Sequence, residues 1–108
     1  MAKDQYLLIL TTFPDIEAAR QIGTLLIELQ IAACVNLLPA SQSIYRWKGK
    51  IENKTEVPVL IKTTNNNYSA VESHIREAHP DQVPEIIAMP ITHGSPDYLA
   101  WISESTFD

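Results

Sequence analysis

The stretch Cys34-Val35-Asn36-Leu37-Leu38-Pro39-Ala40-Ser41-Gln42-Ser43-Ile44-Tyr45-Arg46-Trp47-Lys48-Gly49-Lys50-Ile51-Glu52, continued by Asn53-Lys54-Thr55-Glu56-Val57-Pro58-Val59-Leu60-Ile61-Lys62, decides the fold. Segments of alternating character flank Lys48-Gly49, a residue-glycine pair of the kind that closes a two-residue hairpin, although lysine is not the preferred first residue. Pairing Trp47 with Lys50 sets a register in which Val35 opposes Lys62 and Leu37 opposes Leu60, so both strands run from residue 33 out and back to residue 64. Pro39 then faces Pro58. Neither can donate to a ladder, which predicts a bend or bulge midway. A turn at Asn53-Lys54 is the alternative, but it leaves residues 33–42 without a partner. Strands of about 15 residues reach roughly 50 Å at about 3.3 Å per residue, whereas a helix of about 16 residues spans only about 24 Å. The outer half of the hairpin therefore overshoots its own domain. It carries Ile44, Tyr45, Trp47 and Ile51, apolar groups that one copy's helices cannot cover, which predicts contact with further copies of the chain through strand edges.

Upstream, Tyr6-Leu7-Leu8-Ile9-Leu10-Thr11-Thr12 is a near-continuous apolar run of the length expected for a central strand buried on both faces. Pro14 and Asp15 then signal a helix start. Ile16, Ala19, Ile22, Leu26 and Leu29 recur at helical spacing over about four turns. Downstream of the hairpin, Asn65-Asn66-Asn67 is a polar break before Tyr68, Val71, Ile75 and Ala78, a second helical stripe that Pro80 ends near His79. Residues 83–91 read as a strand punctuated by prolines, and Ser95-Pro96-Asp97 opens a last helix. The order β-α-β-β-α-β-α predicts an α+β, ferredoxin-like βαββαβ sandwich with an extra C-terminal helix and a long protruding hairpin between its second and third strands, in one domain spanning residues 1–108.

Of the 108 residues, 13 are acidic and 8 basic, for a net charge of −5, which argues against general nucleic-acid binding. The charge is unevenly spread. Within residues 44–62, Arg46, Lys48, Lys50, Lys54 and Lys62 face Glu52 and Glu56, a local +3, so the rest of the chain carries −8. The single cysteine, Cys34, rules out a disulfide scaffold and a cysteine-based zinc cluster and favours a reducing, cytoplasmic compartment. Met1-Ala2-Lys3-Asp4-Gln5 leads into an apolar run too short for a signal-peptide core. No apolar run approaches the roughly 20 residues needed to span a bilayer as a helix.

No catalytic motif is present: no serine sits in a nucleophile elbow, and Cys34 lies inside an apolar segment. Gly23, Gly49 and Gly94 stand alone, so no nucleotide is expected in a glycine-rich cradle. His74 and His79 are five apart and point some 140° away from each other on a helix, at about 100° per residue. Two constellations stand out. Trp47, Glu56 and Lys62 lie on the hairpin, with Glu56 and Lys62 evenly spaced for one face; an acid, a cation and an indole suit an inter-subunit cleft for a small polar ligand. His79-Pro80 and Pro84-Glu85 form the second, an acid-base or metal pair at a strand entry.

At these residues the sequence resembles the CutA divalent-cation tolerance family. The resemblance runs through Ala32-Ala33-Cys34-Val35-Asn36, Ser43-Ile44-Tyr45-Arg46-Trp47-Lys48-Gly49-Lys50-Ile51-Glu52, Glu56 with Leu60-Ile61-Lys62-Thr63, His79-Pro80, Pro84-Glu85-Ile86-Ile87, Pro90-Ile91, and Gly94 followed by Tyr98-Leu99-Ala100-Trp101-Ile102. It implies a ferredoxin-like protomer in a tight homotrimer, with a role in tolerance or response to copper and other divalent cations. It further implies weak binding of Cu²⁺ or another divalent cation, and Asn36, Trp47, Glu56, Lys62 and Glu85 in a cleft between subunits. Copper contacts proposed for some members use a cysteine at the end of the first strand and a His-His pair before the proline. This chain has Thr11 and Ala78-His79 there, which leaves His79 alone as a weak metal ligand, since Cu(I) favours thiolate and thioether donors. The expectation is thus a cytoplasmic homotrimeric binding protein, not an enzyme, without nucleic-acid or membrane partners. The alternatives are a small-metabolite enzyme using the inter-subunit cleft and a trimeric docking or signalling module.

Overall fold

In the computed structural model, which describes residues 5–107, strand β1 (Tyr6–Phe13) lies between two antiparallel neighbours. The expectations placed on Met1 to Asp4 fall outside the described residues. Helix α1 (Ile16–Glu28) follows, capped by the Asp15 carboxylate, which accepts the Ala18 N–H at 2.8 Å. Then come β2 (Cys34–Leu37), β3 (Ser41–Trp47), β4 (Lys50–Thr64), α2 (Tyr68–Ala78), β5 (Ile86–Ile91) and α3 (Pro96–Glu104). The strand order is β2-β4-β1-β5, with β3 pairing to the outer half of β4. The long axis measures 44 Å against 25 and 23 Å for the others, as an overlong hairpin requires.

The hairpin turns at Lys48-Gly49, and Trp47 pairs with Lys50. Lys48 and Gly49 both have positive φ, 52° and 82°, the backbone of a type I′ turn, whose twist matches that of the strands. The outgoing strand is split at residues 38–40, and this corrects the single continuous register. Ser41 faces Glu56 in step with the turn, but Leu37 faces Val59 and Val35 faces Ile61, one residue out of step. Three residues on the outgoing side thus span two on β4, a one-residue bulge at the Pro39/Pro58 position. The slip decides which face each side chain takes. It turns Val35 and Leu37 toward the helices, where both pack against the core, and puts Cys34 rather than Val35 opposite Lys62.

The core lies between one sheet face and the helices α1 and α2. Ile9, Phe13, Val59 and Ile61 from the strands meet Ala19, Ile22 and Leu26 of α1 and Val71 and Ile75 of α2. These positions alternate along the strands and recur every three or four residues along the helices, as burial of one face demands. The other sheet face is covered less fully, contrary to a first strand buried on both sides: Leu8 and Leu10 remain half-buried. Helix α3 serves that face, where the Tyr6 hydroxyl meets Ser103 Oγ at 2.7 Å and Ile102 is fully buried. β5 begins at Ile86 rather than residue 83, because Pro84 has no N–H to give the ladder.

Candidate functional site

The even-numbered residues of outer β4 and the odd-numbered residues of β3 share one face of the hairpin, since Trp47, Tyr45, Ser43 and Ser41 pair with Lys50, Glu52, Lys54 and Glu56. The loop after α2, residues 80–85, bends over this face and closes a cleft of about 800 Å³. Tyr45, Trp47 and Val83 provide apolar walls, while Glu52, Glu56, Asp81 and Glu85 bring carboxylates. Against those four acids stands one cation among the described residues, Lys54, so the cleft carries a net charge of −3 although the hairpin as a whole is basic.

Glu56 is the most deeply set of the acids, its side chain 9% exposed. Its Oε1 accepts the Thr12 hydroxyl at 3.1 Å and lies 4.0 Å from Lys54 Nζ. Lys54 is committed elsewhere: its ammonium donates to both Asp81 oxygens, at 3.2 and 3.1 Å. The hydrogen bond to Asp81 holds the Lys54 pKa above the ordinary lysine value, against the opposing effect of burial.

His79 stands behind the cleft rather than in it. Its side chain is 1% exposed and stacks at a tilt on Phe13, with ring centroids 4.7 Å apart. Its Nδ1 accepts the Asp81 backbone N–H at 3.0 Å and its Nε2 meets the Thr12 carbonyl at 2.6 Å. An N–H can only donate and a carbonyl can only accept, so the ring is neutral with its proton on Nε2. Both nitrogens are spent on the backbone, and the ring positions the 80–85 loop.

Of the residues singled out in the sequence, the fold brings Trp47, Glu56 and Glu85 to one cleft and sets His79 directly behind it. Asn36 and Lys62 lie elsewhere. Lys62 shares the face of Glu56 but sits six residues along β4, roughly 20 Å away, with its ammonium over the Tyr98 ring of α3 at 5.7 Å. Asn36 belongs to that inner end, opposite Leu60. Sequence reasoning missed Lys54 and Asp81. The signal for Lys54 was available, because the even spacing that linked Glu56 to Lys62 links it equally to Lys54, and much more closely.

Thr11 is fully buried on the helix side of β1, and its hydroxyl has no hydrogen-bond partner among the described residues. Among those residues no group of three or more His, Cys, Asp or Glu side chains is placed to hold a metal ion. With both His79 nitrogens engaged, the described residues of a single chain do not offer the donor set of a tight transition-metal site. No helix of the described residues is long and apolar enough to cross a membrane.

An open antiparallel sheet with α1 and α2 packed on one face and α3 against the other, and an acidic cleft formed by its own hairpin, define a small α+β protein with a candidate binding site. A family model described as CutA1 divalent ion tolerance protein matches residues 7–105, and the chain belongs to that family. It is 42% identical over 98 residues to the divalent-cation tolerance protein CutA of Thermus thermophilus, covering 91% of this chain and 95% of that protein. The crystal structure of the stable CutA1 of the psychrotrophic Shewanella sp. SIB1 superposes with a TM-score of 0.93 at 43% identity, covering 95% of this chain and 96% of the other. A CutA structure from Archaeoglobus fulgidus, with a TM-score of 0.89 at 35% identity and coverage of 93% and 97%, belongs to a protein described as periplasmic. Family membership therefore does not place a chain in the cytoplasm.

Proposed function

We propose that the protein serves divalent-cation tolerance by binding rather than by catalysis, and that it does so as a homotrimer of ferredoxin-like protomers. The observation that carries this reading is the cleft, in which four carboxylates face one lysine and the deepest, Glu56, is nine-tenths buried. Such a field draws cations to the hairpin. Cu²⁺ or another divalent cation is then held weakly, by carboxylates, since hard and borderline cations accept oxygen donors without the thiolate that a soft copper site needs.

What supports self-assembly is the outer hairpin, where Ile44 and Ile51 are each 71% exposed. Apolar side chains at that exposure on paired strands mark an interaction surface. In the assembly the cleft lies beside a neighbouring copy and the protein works in the cytoplasm. Calorimetric titration of the wild type and of Glu56→Gln with Cu²⁺ and Zn²⁺ tests the binding role. Weak heat that falls in the variant is expected; heat that is absent at millimolar metal, or the same in both proteins, removes it. Light scattering at micromolar concentration tests the trimer, which a monomeric mass refutes.

A further inference from the structure

We propose that the hairpin cleft is a receptor for a small organic cation, an alkylammonium or guanidinium compound, anchored by the Glu56 carboxylate. This goes beyond the metal-binding reading and concerns a different ligand class.

The first observation is the state of Glu56. A carboxylate this buried is normally surrounded by donors, because desolvation of the charge costs several kcal/mol unless it is matched. Its Oε1 has the Thr12 hydroxyl. Its Oε2 makes no hydrogen bond to the described residues and opens onto the cleft, since it is not among their fully buried polar atoms without a partner. Lys54, the cation nearest to it in the cleft, is at 4.0 Å from Oε1 and is already bonded to both oxygens of Asp81. Glu56 thus shares its one cationic neighbour with Asp81 at the longer distance, and Glu52 and Glu85 add further negative charge around it.

The second observation is what the walls are made of. Tyr45 and Trp47 face the same space from β3. Aromatic faces attract ammonium and guanidinium groups through the ring quadrupole and cover their alkyl parts, whereas tight coordination of a metal ion needs three or more convergent donors, which the described residues do not supply. The third is size: about 800 Å³ falls in the range of small-molecule pockets, roughly 300–1,000 Å³. Lys54 itself illustrates the chemistry, since its own ammonium, on an alkyl stem, is held by an acid of the cleft at 3.1 Å.

The test is calorimetric titration of the full chain at about 0.15 M salt with 1,4-diaminobutane, agmatine, 1,4-butanediol, succinate and, separately, Zn²⁺. The two cations are expected to bind in the millimolar range or tighter, and the diol and the dianion not to bind. Glu56→Gln, which keeps the oxygen that Thr12 contacts, should weaken amine binding at least about tenfold, and Trp47→Ala about fivefold, with circular dichroism and melting temperature reporting that each variant is folded. Lack of amine binding at about 10 mM, equal binding of the diol, or an affinity unchanged in Glu56→Gln each overturns the inference. Zn²⁺ binding without amine binding also overturns it while leaving the metal reading intact. Amine binding without Zn²⁺ binding supports it and removes the metal reading.

Discussion

The Nε2–H of His79 donates to the backbone carbonyl of Thr12 across 2.6 Å, joining the end of α2 to the end of the central strand while the other ring nitrogen holds the Asp81 N–H. The ring therefore acts as a two-ended tie under the cleft. His79→Ala leaves a buried carbonyl and a backbone N–H without partners and opens a void beside Phe13. Removal of one side of buried hydrogen bonds costs about 1–3 kcal/mol, and lost packing adds to it, so urea unfolding should report a loss of about 2–4 kcal/mol. A metal-ligand role alone predicts little change in the metal-free protein, and a loss below about 0.5 kcal/mol would contradict the tie.

Thr11 presents the opposite situation. Its hydroxyl is buried at 0% exposure with no partner among the described residues, and it sits where the family resemblance would place a cysteine. Thr11→Val keeps the β-branched shape that suits the strand and removes the unpaired group. The variant should be more stable by about 1 kcal/mol, read as a higher urea midpoint with an unchanged denaturant slope. A lower midpoint would mean that the hydroxyl has a donor or acceptor in solution.

Two backbone positions with positive φ predict changes of opposite sign. Helix α1 ends with the Gln30 N–H on Ile27 O and the Ile31 N–H on Leu26 O, with Gln30 at φ 59°. This is a Schellman ending that usually takes glycine. Gln30→Gly should stabilise by up to about 1 kcal/mol, because an L side chain in that region costs about 1–2 kcal/mol. At the hairpin tip, Gly49 has φ 82° and open space where a Cβ would stand, so Gly49→Ala should cost about 1 kcal/mol through strain alone, and Gly49→Asn about half as much. Thermal melts of the three variants check both signs.

Local patterns made much of this legible. The hairpin turn, the Asp15 cap, the two helical stripes and the stop at Pro80 each rest on neighbours in sequence, and each is where its residues indicated. The register of Val35 was not legible, because a bulge between two prolines can absorb one residue or none, and only the burial of Val35 and Leu37 against α1 decides between them. The site was half legible for a similar reason. Parity along β4 places Glu56, Lys54 and Lys62 on one face, but parity has no length scale, and it linked Glu56 to a lysine roughly 20 Å away in place of the one 4.0 Å away. Asp81 comes from a loop whose path depends on His79 reaching the backbone of β1, a contact between residues 67 apart in sequence.

The Lys54–Asp81 pair gives a pH dependence whose sign is fixed. Lys54 Nζ lies 3.1 Å from Asp81 Oδ2, and both side chains are about one-third exposed. Solvent screening limits the pair to about 0.5–1 kcal/mol, so Lys54→Met and Asp81→Asn should each lose about that much at pH 7. The Asp81 hydrogen bond raises the Lys54 pKa above 10.5. A group whose folded pKa is raised contributes fully below its unfolded value and loses the contribution as pH climbs through the folded value. The stability gap between wild type and Lys54→Met should therefore be flat from about pH 7 to pH 10 and narrow above 10.5. Raising salt from about 0.05 to 0.5 M should shrink the gap at pH 7 as well. Urea unfolding of wild type, the two single variants and the double variant at pH 7 and pH 11 measures the pair directly. Additive losses at pH 7, or a gap as wide at pH 11 as at pH 7, would show that Lys54 stabilises the loop through its alkyl stem rather than its charge.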